Sequence, residues 1–208
     1  MTTASGRVLN DLVADIRSCR FCVENPRSKP LPHEPRPVLQ TSDTARLMVC
    51  GQAPGTRVHE SGQPFTDRSG DRLREWMGVT EDEFYDEGRV SIVPMGFCFP
   101  GQDTKGGDLP PRRECAPLWH DRLFAVMPQV ELVLAVGLYA QDFFLGETKG
   151  KTLQETMLHW RKHLNTKRRP RILPLPHPSW RNNAWLTKNP WFQSELLPVL
   201  QREGRRLL

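Results

Sequence analysis

Apolar residues recur at Val8, Leu9, Leu12, Val13 and Ile16 within RVLNDLVADIRS (7–18), a spacing that lays them along one helical face. A proline-rich, apolar-poor stretch (23–44) follows and reads as extended loop. Four short apolar runs then interrupt the polar chain: ARLMVCG (45–51), RVSIVPMG (89–96), ELVLAVG (131–137) and RILPLPHPS (171–179). Each has the length and β-branched content of a buried strand. Between them, DRLREWMGV (71–79), CAPLWHDRLFAVM (115–127) and LYAQDFFLG (138–146) carry helical spacing, and WFQSELLPVLQREGRRL closes the chain as a helix. The polar, basic stretch 147–170 suits a helix plus a loop. Strands alternating with helices predict an α/β fold: three layers, α/β/α, around a mostly parallel four-stranded sheet. With no internal repeat and no linker, residues 1–208 form one domain. In such sheets the ligand sits at the carboxyl ends of the strands. Three loops leave strands there: 51–70, 97–114 and 176–190.

Charge adds a partner class. The formal net charge is +5 and the pI about 9.1, which suits a polyanion such as nucleic acid, although a solvated Lys/Arg surface gives the same balance. No apolar run approaches the roughly eighteen residues of a membrane span, and the first residues lack a secretory core. A cytoplasmic monomer without membrane contact is expected. In that setting the five cysteines are not expected to form structural disulfides.

Four of those cysteines form two pairs. Cys19 and Cys22 make a C-x-x-C at the end of the first helix; Cys98 follows a strand and Cys115 opens a helix. Four thiolates from two separated pairs suit Zn²⁺ or an iron–sulfur cluster, and neither softness nor spacing decides between them. Cys50, mid-strand, reads as core.

Three strand-end features suit chemistry. GQAPG (51–55) lets backbone approach a ligand closely but is neither a dinucleotide fingerprint nor a P-loop. Phe65 stands in a polar loop, placed either to stack on a base or to fold back on the core. Asp71 suits the N-cap of the next helix, leaving Asp67 free as a candidate general base. In HPSWRNNAW (177–185), His177 is suited to stabilising a developing anion, and Trp180 and Arg181 to wedging into or gripping nucleic acid. The basic run Lys162, Lys167, Arg168, Arg169 and Arg171 suits phosphates or an ordinary solvated face.

Taken together, the C-x-x-C, the G-x-A-P-G loop with its downstream P-F-T, the later cysteine pair and the H-P-S loop resemble the uracil-DNA glycosylase superfamily, most nearly its iron–sulfur branches, families 4 and 5. The order of motifs matches over nearly the whole chain. The resemblance implies a [4Fe–4S] cluster with a structural role on Cys19, Cys22, Cys98 and Cys115. It implies a monofunctional glycosylase that hydrolyses the N-glycosidic bond of a deaminated base, uracil or a relative, in DNA and so starts base-excision repair. The flipped base would lie against Gly51, Gln52, Ala53, Pro54 and Gly55 and stack on Phe65. Water would attack C1′ while His177 stabilises charge on the departing base. Ser179 would meet a phosphate, Asn182 fits a family 5 asparagine, and Asp67 lies near the place of a family 5 acidic residue.

Three residues depart from the family pattern. Ala53 stands where the most active branch has a water-orienting Asp, so the water must be activated otherwise. Gln52 replaces the family 4 glutamate. Pro94 replaces the family 4 asparagine that reads the uracil edge, which puts uracil specificity in question. Ala53 and Pro94 favour the other reading, a catalytically weak or inactive nucleic-acid-binding protein on the same iron–sulfur fold.

Overall fold

The computed structural model describes residues 4–208. Its strands are the four expected ones: β1 (Leu47–Cys50), β2 (Val90–Ile92), β3 (Leu132–Val136) and β4 (Arg171–Leu175). They form one sheet in the order β2-β1-β3-β4, and every neighbouring pair is parallel. The chain starts mid-sheet, steps out to β2, and returns on the other side of β1. The connections after β1 and β3 therefore diverge, which opens a crevice at the carboxyl ends of these two adjacent strands.

The helices, in chain order, are α1 (Ala4–Arg17), α2 (Phe21–Glu24), α3 (Thr56–Ser61), α4 (Arg68–Met77), α5 (Glu81–Tyr85), α6 (Asp121–Ala125), α7 (Leu138–Leu145), α8 (Leu153–Leu158), α9 (Trp160–Leu164), α10 (Asn183–Lys188) and α11 (Leu197–Leu207). Alternation along the strands sends side chains to two separate cores. Met48, Cys50, Val133, Ala135 and Ile172 face α1, α6 and α7. Leu47, Val49, Leu132, Leu134, Val136, Leu173 and Leu175 face α4, α5, α8, α9 and α11. The α1 stripe is narrower than its sequence suggests. Leu9, Leu12, Val13 and Ile16 are buried, each side chain contributing on the order of 1.5–3 kcal/mol, whereas Val8 is 54% exposed.

Local chemistry sets several boundaries. α4 begins at Arg68, one turn before the expected start, because the Asp67 side chain accepts N–H bonds from Ser69 and Gly70. Gly78 ends it in the left-handed conformation. α5 carries a capping box between Thr80 and Glu83. The helix expected over 115–127 ends at Ala125, capped by Val126, and opens with a π-turn, Ala116–His120, in which Pro117 supplies no N–H. No helix among the described residues is long and apolar enough to cross a membrane.

Candidate active site

Leaving β1, the chain runs through Gly51–Gly55 into α3. The segment after β2 lies alongside it: Met95 and Gly96 donate N–H bonds to the Gly51 and Gln52 carbonyls, both at 2.9 Å. The loop that follows closes over the same place. The Gln52 amide reaches the Leu109 carbonyl at 3.4 Å, and the Gln102 amide lies 3.3 Å from both the Thr56 hydroxyl and an Asp108 carboxylate oxygen.

Phe65 sits beside this loop. Its ring edge would meet a Cβ on Gly51 at 3.0 Å, so only glycine allows the ring to lie that close. Its backbone adopts φ 56°, a left-handed conformation that costs a bulky residue on the order of 1–3 kcal/mol. Several bonds hold it there. Tyr85 Oη donates to the Pro64 and Phe65 carbonyls at 2.9 and 3.1 Å, and Arg74 Nη1 to the Phe65 carbonyl at 3.4 Å. A Cβ on Gly70 would lie 1.7 Å from that carbonyl, so α4 presses on the turn at a point only glycine permits. The ring also meets Phe84 edge-on. Phe65 therefore both rests on the core and lines the crevice.

From β4 the chain passes through Pro176 to His177. The imidazole packs on Gly137, which turns β3 into α7 at φ 81°. Asn182 Nδ2 donates to the His177 carbonyl at 2.7 Å and so braces the H-P-S turn, and Arg72 Nη1 ties Ser179 and Asn183 to α4. Burial pushes the His177 pKa below its ordinary value, and the Asp67 and Asp108 carboxylates oppose that shift. Neither carboxylate forms an ion pair among the described residues. Trp180 is 74% exposed, with the Arg181 guanidinium 5.9 Å from its ring centroid.

The cysteine pairs meet elsewhere. Cys19, Cys22, Cys98 and Cys115 line one apolar recess with Ile16, Phe97 and Trp119. The Cys22 and Cys115 thiols act on each other, which brings the Cys22 pKa down to about 7, against the effect of burial, and raises that of Cys115. Burial pushes Cys98 up to about 12. A buried clasp joins the two loops: Glu114 accepts from the Arg27 N–H at 3.0 Å and pairs with Arg112, which in turn donates to the Lys29 carbonyl. Among the described residues, no group of three or more His, Cys, Asp or Glu side chains is arranged to hold a metal ion. Cys50 stands apart in the core, its thiol 3.5 Å from the Met95 sulfur.

The model of the uracil DNA glycosylase superfamily matches residues 39–201. This chain belongs to that superfamily. The match covers the sheet, the crevice and the later cysteine pair, but begins beyond Cys19 and Cys22. Superfamily membership places DNA as the partner and N-glycosidic bonds as the reaction class of the fold.

Within this superfamily member, the structure gathers Gly51–Gly55, Phe65, Asp67, His177, Ser179 and Asn182 around one crevice, with Trp180 and Arg181 at its edge. One expectation is corrected. Asp67, not Asp71, is the N-cap of α4; Asp71 instead pairs with Arg74. In the basic run, Arg169 and Arg171 are paired with Glu131 and Glu203, which suits the solvated face of the two readings better than phosphate contact. Pro94 is buried, and its carbonyl is 3.1 Å from His120 Nε2, so it brings no side-chain amide to the crevice. The sequence pattern does not single out Asp108; its one signal is a carboxylate in a loop leaving the carboxyl end of β2. Nor does it single out Tyr85, Arg74 and Gly70, because a buttress leaves no motif.

Proposed function

We propose that this protein is a monofunctional DNA glycosylase that removes a deaminated base, uracil or a relative, from DNA. The observation that carries the reading is the convergence of Phe65 and His177 on the crevice above β1 and β3. A planar base would stack on the half-buried Phe65 ring while the Gly51–Gly55 backbone lies along its edge. His177, neutral because burial disfavours its charged form, would donate an N–H to the oxygen on which the leaving base gathers charge. Water would attack C1′ of the sugar with carboxylates nearby to offset its positive charge. Ser179 and the exposed Trp180–Arg181 pair would meet the strand backbone and the neighbouring bases. The protein would act as a monomer.

Cys19, Cys22, Cys98 and Cys115 would hold a [4Fe–4S] cluster. Four cysteines lining one apolar recess offer the soft donor chemistry a cluster takes, although their sulfurs are not drawn together as a metal site in this structure. The cluster would cross-link the segment before β1 to the loop after β2, and no reaction step passes through it.

Ala53 and Pro94 favour a second reading, DNA binding with little catalysis. One experiment separates the two. Duplex and single-stranded oligonucleotides carrying uracil, hypoxanthine, xanthine or mismatches are incubated with protein and treated with alkali. Strand cleavage at one of these bases is expected. Tight binding without cleavage on any of them would favour the second reading. Iron and sulfide in equal amounts in the purified protein support the cluster, and zinc in their place would remove it.

A further inference from the structure

The crevice holds two carboxylates, and their surroundings differ. Asp67 Oδ1 already accepts the Ser69 and Gly70 N–H groups at 3.0 and 3.1 Å, so its orientation is set by the cap of α4. Asp108 has no such task. It stands on a hairpin-like turn fixed by the Gln102–Asp108 bridge, by the Leu109 N–H to the Gly101 carbonyl at 2.9 Å and by the Asp103 N–H to the Gly107 carbonyl at 2.8 Å. Gln102 Nε2 holds its Oδ1 at 3.3 Å. Its Oδ2 points at the glycine loop, 3.0 Å from the place a Cβ on Gly55 would occupy. Among the described residues, Gln102 is the side chain that bonds the Asp108 carboxylate, and it does so through Oδ1. Nearby, Ala53 contributes only a methyl group, and the one polar side chain of the loop, Gln52, turns its amide to the Leu109 carbonyl and carries no charge.

Resting on the glycosylase reading above, we propose that Asp108, rather than Asp67, is the carboxylate that holds the attacking water and faces the charge that develops at C1′. As the bond between C1′ and the base nitrogen breaks, its electron pair leaves with the base, whose oxygen His177 meets. The water oxygen bonds to C1′, and its proton passes to Asp108 Oδ2. Both carboxylates act on His177 across the crevice, Asp67 the more strongly, and neither pairs with it directly. The gap between carboxylate and imidazole is where the sugar would lie.

The test compares Asp108→Asn with Asp67→Asn. Each keeps the side-chain shape, and an asparagine still caps α4. Single-turnover excision is measured on the best base of the oligonucleotide panel. Asp108→Asn is expected to slow it by about 10²–10⁴-fold, the range of a lost general base, with melting temperature unchanged and at least tenfold more loss than Asp67→Asn. A second readout needs no base at all. DNA carrying a cationic pyrrolidine in place of the sugar should bind the wild type better than DNA carrying a neutral tetrahydrofuran, and Asp108→Asn should lose that preference. Equal or greater damage from Asp67→Asn, or an undiminished rate and preference in Asp108→Asn, overturns this inference alone. A wild type that frees no base from any oligonucleotide overturns the glycosylase reading, and this one with it.

Discussion

The two ends of the sheet are both rich in charge, and they use it in opposite ways. At the amino ends of the strands, Glu131 precedes β3 and is met by Arg46 from the start of β1, by Arg169 before β4 and by Arg206 of α11. Glu203 continues the network to Arg171 and Arg206. Both carboxylates of this network have arginine partners. At the carboxyl ends, Asp67, Asp108 and His177 face one another without an ion pair among the described residues. Paired charges at one end tie strand starts to a helix; unpaired charges at the other end stay available for charge that appears during a reaction. A crevice carboxylate without a cationic partner, in a fold whose other end pairs its carboxylates with arginine, is the better candidate for chemistry.

Substitutions at the two ends should separate rate from stability. The largest effect is expected from His177→Ala. Losing one donor to a developing anion should cost about 10²–10³ in single-turnover rate, far more than follows from the fall in melting temperature that comes with losing the packing on Gly137. A drop in stability that accounts for the lost rate would break the comparison.

Next is Glu131→Gln, which should do the reverse. Arg46 above all, then Arg169 and Arg206, hold the Glu131 carboxyl down to about 2. A depressed acid stabilises the fold above its ordinary range near 4.5, and that stability is lost as pH falls towards about 2. Because the network is partly solvated, its worth is about 1 kcal/mol, or roughly 2–4 °C for a chain of this size. Urea titrations between neutral and acid pH should show a steeper acid loss in the wild type than in Glu131→Gln, with excision rates equal at neutral pH. A rate defect in this variant would mean that the two ends are coupled.

Much of this contrast is legible in the sequence, and the unreadable part has physical causes. Four apolar runs mark the strands, because burial on both faces leaves little room for polar residues. Their order in space does not follow from the chain, since nothing local tells β3 to pair with β1 rather than β2. The stretch TDRSGD offers two aspartates four apart, either able to cap a helix. Reading the helix from its first apolar residue, Leu73, selects Asp71 and overlooks a first turn, Arg68–Gly70, that buries backbone rather than side chains. α3 and α5 are too short to show a period. GQAPG, Phe65 and His177 are readable because they lie in the loops that leave strand ends; Asp108 is not, because its loop folds back onto the glycine loop through the Gln52 and Gln102 amides, contacts that leave no motif.

The smallest effect is expected where sequence alone suggests DNA binding. Lys162 and Lys167 lie on α9 and on the connection to the start of β4, so they approach the Glu131 end rather than the crevice. Arg169 and Arg171 in the same run are already committed to Glu131 and Glu203. If DNA lies across the carboxyl ends, the double variant Lys162→Ala/Lys167→Ala leaves every phosphate bond in place. Each phosphate that goes unneutralised would flatten the dependence of log affinity on log salt by roughly 0.7–0.9, so this slope is the sensitive readout. It should match the wild type in the lysine variant, whereas Arg181→Ala, at the crevice edge, should flatten it by about one phosphate's worth. A flattened slope in the lysine variant would put DNA on both ends of the sheet and dissolve the division of labour between them.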